Sequence, residues 1–474
     1  MDCIRKNITR TYAVLSIQVE RGCKVPKKER GTYENRTGST TLDRNSPQNL
    51  GTTENVIYHL VEKLVDLGHE VTLFAPADAR TSAKQISFIP KSLITEGVPW
   101  QANLKAYYHL HKSLEYIAEH DFDIVHTHLA SSSDMYIFPL AAMMSMPHVT
   151  TLHEYFPFDR TVDNWTGDAD RYFMEWAQHV PLVATSECAR EQVARLSKEA
   201  RFAGIIHHGI QLKQYPITPQ SGGDYFIWIG RFTYEAGAHL AIEAARRAHQ
   251  PLILAGTKET YNRDAMDYYR HLVEPYIDGH DIRYLGPATN QNKLELLSQA
   301  RALLNPIQWE EPFGVAMIEA MALGCPVISF QRGAAAEIIS HGHTGFLAHD
   351  TSDITHYMSR IHELDRHAVR EHVERYFSAQ VMTEKYLTVY ANVIAAHTYG
   401  TLSTSPVATQ PWLGSLHTIC SPRSNGASWV YIFLPRRTLP LRGFPFYFKL
   451  TGYASQFLFP IHSGARYRYA SVRW

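Results

Sequence analysis

Two glutamates eight positions apart, Glu311 and Glu319, bracket the most chemically loaded stretch of the chain, NPIQWEEPFGVAMIEAMALGCPVISF at 305–330. The pattern predicts a strand ending at Pro306 and a helix beginning close to Gly314. The backbone N–H groups of Phe313, Gly314 and Val315 would then sit at a helix N-terminus, where unpaired donors and the macrodipole favour phosphate. Gly314 has no Cβ to hold a ligand away from the backbone. One carboxylate could accept hydrogen bonds from sugar hydroxyls and the other from a ribose; the same spacing also reads as a capped amphipathic helix with solvated acids. Three histidines, His126 and His128 in DIVHTH and His153 in TTLHE, fall at the carboxyl ends of predicted strands, positions expected to face a cleft. Imidazole there can donate to a sugar hydroxyl or to developing charge without carrying a fixed charge. With 26 histidines in the chain, each is equally open to a satisfied core or surface role. Ser186 in ATSECAR reads as a helix cap, and Glu337 in GAAAEII as a donor-side acid or a solvated helix acid. His126 and His128 share one strand face, but no third ligand is evident, so no metal site is expected.

The elements that position these residues alternate. Apolar residues recur at helical spacing from Glu54 to Leu67, closed by Gly68, and a buried strand runs from Val71 to Ala75. A helix over 103–120, a strand over 123–127, a helix near 134–144 and a strand over 148–152 follow. A second series of strands is predicted at 225–229, 252–255, 282–285, 302–305 and 327–330, with helices between them. Alternation of this kind gives parallel sheets covered on both faces. The fold class is therefore α/β, two Rossmann-like domains facing across a cleft, with irregular N- and C-terminal extensions. The expected divisions are an atypical segment 1–50, an N-terminal acceptor-side domain 51–215, a C-terminal donor-binding domain 222–375, a closing helix 376–397 and a basic tail 401–474. No GxGxxG follows a strand and no GxxxxGK[ST] occurs, which removes the usual signatures of dehydrogenases and NTPases.

Length and composition agree with two packed domains. The 474 residues are about three times a typical domain of roughly 150. Apolar residues make up 45% and charged residues 19%, too apolar for a wholly disordered chain. Five scattered cysteines suggest neither a disulfide framework nor a zinc site, so a reducing cytoplasm is the expected location. A formal net charge of zero conceals segregation: residues 1–50 hold ten basic and five acidic side chains, and residues 401–474 eight basic and none acidic. That tail reads either as a basic, aromatic-rich flap in peripheral contact with a membrane, or as an appendage without a selected function. It is expected to be poorly ordered.

The string Glu311, Pro312, Phe313, Gly314 and Glu319, followed by GCPVIS, resembles the E-x7-E segment of the retaining, GT-B-fold glycosyltransferases of family 4. The resemblance extends over most of 51–397, including IWIGRF at 227–232, PLILAGT at 251–257 and HTGFL at 343–347. It implies that Glu319 holds the donor ribose, that Glu311 with the amides of Gly314 and Val315 holds the transferred sugar, and that Arg231 binds the diphosphate. An arginine there makes charge-assisted contacts that help a nucleoside diphosphate leave. The resemblance also assigns active-site roles to His128 and His153. It implies a nucleoside diphosphate hexose as donor, an acceptor hydroxyl, no metal or other cofactor, and no nucleic-acid partner. The chain departs from the family's pattern in three places. Ala236 in GRFTYEAG stands where a lysine is usual, Thr52 in LGTTENV where a second glycine is expected, and Gln211 where an aspartate is common. The first strand is expected far upstream, at Tyr12 to Val19. Two functions follow: a glycosyltransferase, or a non-catalytic nucleotide-sugar-binding protein of the same fold.

Overall fold

The computed structural model describes residues 14–18, 52–92, 103–130, 137–154, 175–196, 198, 200–217, 223–260, 262–288, 290–398, 417–418 and 431–432. Residues 1–404 form one compact unit and 405–474 a second. The first unit contains two sheets. The first sheet comprises β1 (Val14–Gln18), β2 (Glu70–Phe74), β3 (Lys84–Ile86), β4 (Ile124–Leu129), β5 (His148–Leu152), β6 (Leu182–Ala184) and β7 (Phe202–Ile205), in the order β3-β2-β1-β4-β5-β6-β7. The second comprises β8 (Phe226–Arg231), β9 (Leu252–Thr257), β10 (Ile282–Tyr284), β11 (Leu303–Asn305), β12 (Val327–Phe330) and β13 (Gly345–Ala348), in the order β10-β9-β8-β11-β12-β13.

The second sheet is wholly parallel. Its order reverses between β8 and β11, the switch point at which a doubly wound sheet opens a crevice beyond its strand ends. Both faces are covered: alternate residues of β8 separate to opposite sides, with Phe226 and Trp228 in one apolar cluster and Ile227 in the other.

The first sheet departs from the expected parallel arrangement at one strand. β1 pairs antiparallel with both neighbours, Val14 opposite Phe74 and Thr127, while β2–β3 and β4 through β7 are parallel. A strand that leads straight into a helix through a short loop has its direction fixed by that loop. Here residues 19–51 intervene before the helix Thr52–Asp66, so the chain is long enough to admit either direction. Gly68 closes that helix at φ +86°, the left-handed conformation that suits a C-terminal glycine.

The chain crosses back from the second half to the first at Phe377–Ser378. The Ile210 amide donates to the Phe377 carbonyl, and the Ala379 amide to the Ile210 carbonyl. The final helix, Ala379–Thr398, then buries Met382, Tyr386 and Tyr390. Among the described residues no helix is long and apolar enough to cross a membrane. In the second unit the described residues are two short strands, His417–Thr418 and Tyr431–Ile432, paired antiparallel. The order expected of the rest of 401–474, like the structure of 19–51, lies outside the described residues.

Candidate active site

The segment between β11 and the helix Val315–Ala322 is the loop for which the sequence suggests a donor-binding role. Gly314, just before the helix, has φ +85°, a conformation that disfavours a side chain. Among the described residues the amides of Phe313, Gly314 and Val315 have no hydrogen-bonding partner. They are the open donors of a helix N-terminus. Glu311 precedes the helix. Burial and the neighbouring Glu154 carboxylate push its carboxyl up to about 8, and Arg231 opposes them. Glu154 follows β5 and Arg231 ends β8, so Glu311 faces groups from both halves.

Arg231 is well exposed, with Nε 4.0 Å from a carboxylate oxygen of Glu259. Glu319 is buried within the helix. Lys293 Nζ donates to both its carboxylate oxygens, at 2.9 and 2.7 Å, and the Tyr215 hydroxyl donates to one of them at 3.1 Å. The two oxygens offer about four acceptor sites, so one remains.

The first half contributes imidazoles. His128 Nδ1 lies 3.0 Å from His153 Nε2, and both rings are buried. His126, expected at the cleft, is instead part of the core. Its Nδ1 meets the Tyr390 hydroxyl at 2.8 Å and its Nε2 the Thr151 hydroxyl at 2.7 Å, and Thr151 in turn meets Tyr386 at 2.9 Å. Both ring nitrogens are thereby used in tying the final helix to the first sheet. Sequence reasoning missed His208, which the structure places 3.3 Å from His153 Nδ1. Its only sequence signal is the HHGI string at 207–210, which has no fixed spacing to the other histidines.

Ser186 and Glu337 hold the halves together. Ser186 Oγ caps its own helix, Glu187–Leu196, by accepting from the Ala189 amide at 2.9 Å, and donates to the Pro312 carbonyl at 2.6 Å. Glu337, open in sequence between two roles, is partly buried and engaged across the seam. Its carboxylate accepts from the amides of Glu187 at 2.8 Å and Cys188 at 2.9 Å, and lies 3.0 Å from His207 Nε2. Ala236 is partly buried, and its carbonyl accepts from the Trp228 indole at 3.0 Å. Among the described residues no three His, Cys, Asp or Glu side chains are grouped so as to hold a metal.

Residues 53–214 match the family model described as Glycosyltransferase Family 4, and residues 213–375 the model described as glycosyl transferases group 1. The chain is similar to a glycogen synthase of Mycobacterium tuberculosis, 30% identical over 151 residues, which are 30% of this chain and 34% of that protein. It thus spans about a third of that relative's length. Among solved structures, a sucrose-phosphate synthase from Thermosynechococcus elongatus superimposes with a TM-score of 0.57 at 19% identity, covering 73% of this chain and 94% of the other. Anabaena Alr3699/HepE, solved in complex with UDP and glucose, gives 0.55 at 15% identity, covering 73% and 97%. The two family models run edge to edge across the two sheets and span well over half of the sequence, and the fold is shared with these transferases; the chain belongs to the group 1, family 4 glycosyltransferases of GT-B fold.

Proposed function

We propose that this protein moves a hexose from a nucleoside diphosphate sugar to an acceptor hydroxyl with retention of anomeric configuration. The observation that carries the reading is the row of unpartnered amides at Phe313, Gly314 and Val315, flanked by Glu311 and Arg231. A diphosphate seated there meets backbone donors, the helix dipole and a guanidinium. Glu319, its plane fixed by Lys293 and Tyr215, offers its remaining acceptor site to a ribose hydroxyl. Glu311, protonated near neutrality, can donate as well as accept at the sugar, while His128 and His153 approach from the first half.

In a front-face displacement the bond from the anomeric carbon to the leaving phosphate oxygen breaks. The bond to the acceptor oxygen forms on the same face, and the acceptor's proton passes to the leaving phosphate. Arg231 and the amides stabilise charge as it develops on that phosphate. The donor, rather than a metal, brings the charge to be balanced. A reducing, cytoplasmic location, suggested by the scattered cysteines of the sequence, and a membrane contact through 401–474 stay part of the proposal.

Thermal unfolding with UDP, GDP, ADP and their glucose or mannose conjugates tests this. A ligand at 100 times its Kd adds about 2.7 kcal/mol. One base should raise the midpoint, the rise should persist in EDTA, and Arg231→Ala should abolish it. No rise with any of them, in a chain that unfolds cooperatively, would sink the donor site. Ala236 favours a second reading, a nucleotide-sugar-binding protein without turnover. Ala236→Lys discriminates: a supplied cation should raise turnover by about 100-fold if the site is a weakened enzyme. If neither form turns over while both bind, the non-catalytic reading holds.

A further inference from the structure

His128, His153 and His208 form a continuous line of buried imidazoles: His128 Nδ1 to His153 Nε2 at 3.0 Å, then His153 Nδ1 to His208 Nε2 at 3.3 Å. They come from the end of β4, the residue after β5 and the segment after β7, three places that only the folded sheet brings together. Among the described residues the outer nitrogens, His128 Nε2 and His208 Nδ1, are buried without a partner. Desolvation lowers the pKa of all three rings, so each is neutral near pH 7.

A neutral imidazole has one N–H and one lone pair, and each contact needs one proton. Choosing the tautomer of one ring therefore chooses all three. If every proton is on Nε2, donation runs from His208 through His153 to His128, and His128 ends the line with a free N–H. If every proton is on Nδ1, donation runs the other way and the free N–H is on His208. The two states differ in where that N–H can be used. His208 packs against Phe313, ring centroids 4.8 Å apart, and among the described residues its Nδ1 has no hydrogen-bonding partner, so an N–H there goes unused. His128 stands near the carboxyl end of β4, the end beyond which strands of an α/β sheet present groups to ligands, so its Nε2–H is the one placed to meet a substrate oxygen if the site opens to it. His126 does not compete for either state, because both its nitrogens are engaged elsewhere.

We propose that His208 is a positioning residue that donates to His153 and thereby fixes an N–H on His128 Nε2, ready for a substrate hydroxyl or developing oxyanion. This rests on the transferase reading for its purpose, and on the ring geometry alone for its tautomers. The test uses full-length protein labelled with ring-15N histidine, read by long-range proton–nitrogen correlation, with resonances assigned by their loss in His128→Gln, His153→Gln and His208→Gln. Wild type should show Nε2–H at all three rings. His208→Gln, whose amide can still donate to His153, should keep Nε2–H on His153 and His128. His208→Leu, which removes the donor to His153 Nδ1, should leave both rings as mixed tautomers and lower kcat at least tenfold, with the Gln variant recovering most of the loss and the donor KM unchanged. An Nδ1–H pattern in wild type, which needs no variant to fold, overturns the proposal. So does an unaltered Nε2–H on His128 in folded His208→Leu. If no donor is turned over, the tautomer pattern still decides it, while the transferase reading fails separately.

Discussion

The two halves of the catalytic unit solve the same topological problem with different chemistry. Each sheet reverses its strand order beside its first strand, between β1 and β4 and between β8 and β11, and each presents functional groups there. The second half does so with charge and bare backbone: Arg231, Glu311, the Glu319–Lys293 pair and the amides around Gly314. The first half does so with neutral, buried rings, His128, His153 and His208, over the core residue His126. The diphosphate proposed for the second half would be met by fixed charge and an open helix end. A half that orients hydroxyls needs donors and acceptors whose protons can be assigned, and burial is what keeps imidazole neutral.

The difference should appear most strongly in acid. Burial depresses the pKa of all four rings in the folded state, for His126 and His208 to about 3. Their folded values lie below the unfolded value near 6.5, so the stability they contribute is complete above that pH and is lost as the pH falls. At pH 5 His126 and His208 each cost about 2 kcal/mol, with His128 and His153 acting in the same direction, against the roughly 5–15 kcal/mol that holds a domain folded. Glu311 has the opposite sign: its raised carboxyl, at about 8, makes the donor loop lose stability as pH rises from about 4.5 to about 8. Urea unfolding at pH 5, 7 and 9, resolved by pulsed hydrogen exchange, should show the first half weakening in acid and peptides around 311 weakening in alkali. Equal acid sensitivity of both halves would break the contrast.

Gly333→Ala should have the next largest effect, confined to the donor half. Gly333 has φ +55°, and a Cβ there would lie 2.3 Å from the backbone nitrogen and oxygen of Glu311. Its amide also donates to a Glu310 carboxylate oxygen at 2.6 Å. Relief requires moving the loop that holds Glu311, at a cost of about 1–3 kcal/mol for the strained backbone alone. Nucleotide-induced stabilisation should be lost, while the tautomers and acid response of the first half stay as they are. Retained nucleotide binding would show that the loop tolerates displacement.

The same contrast governs what could be read without coordinates. Donor-half elements were legible because buried parallel strands read as continuous apolar runs: the strand expected at 327–330 matches β12, and Gly314 was placed just before its helix. The first half was less legible. β1 was expected upstream, and it lies at Val14–Gln18, but nothing in its apolar run signals an antiparallel direction, since a fully flanked strand looks the same either way. The partners of Glu319 lie 26 and 104 positions away, those of Glu337 130–150 and those of His126 25 and 264, and no local pattern records such pairings. His208 escaped notice for the same reason.

The smallest effect expected is at the seam between the halves. Glu337 is held below its usual range: burial raises its pKa, but His207 and the amides of Cys188 and Glu187 outweigh this. It acts as a helix cap supplied by the other half, on a helix that Ser186 already caps, so Glu337→Ala should cost only about 1 kcal/mol. Ser186 also reaches across, to the Pro312 carbonyl. If the seam closes as a unit, losing either contact frees the helix end and lessens what the other can contribute. Ser186→Ala, Glu337→Ala and the pair should then be non-additive by at least 0.5 kcal/mol in unfolding, and in nucleotide affinity by a few-fold. Strict additivity would mean that the neutral half and the charged half meet through independent contacts, so that tightening one does nothing to seat the other.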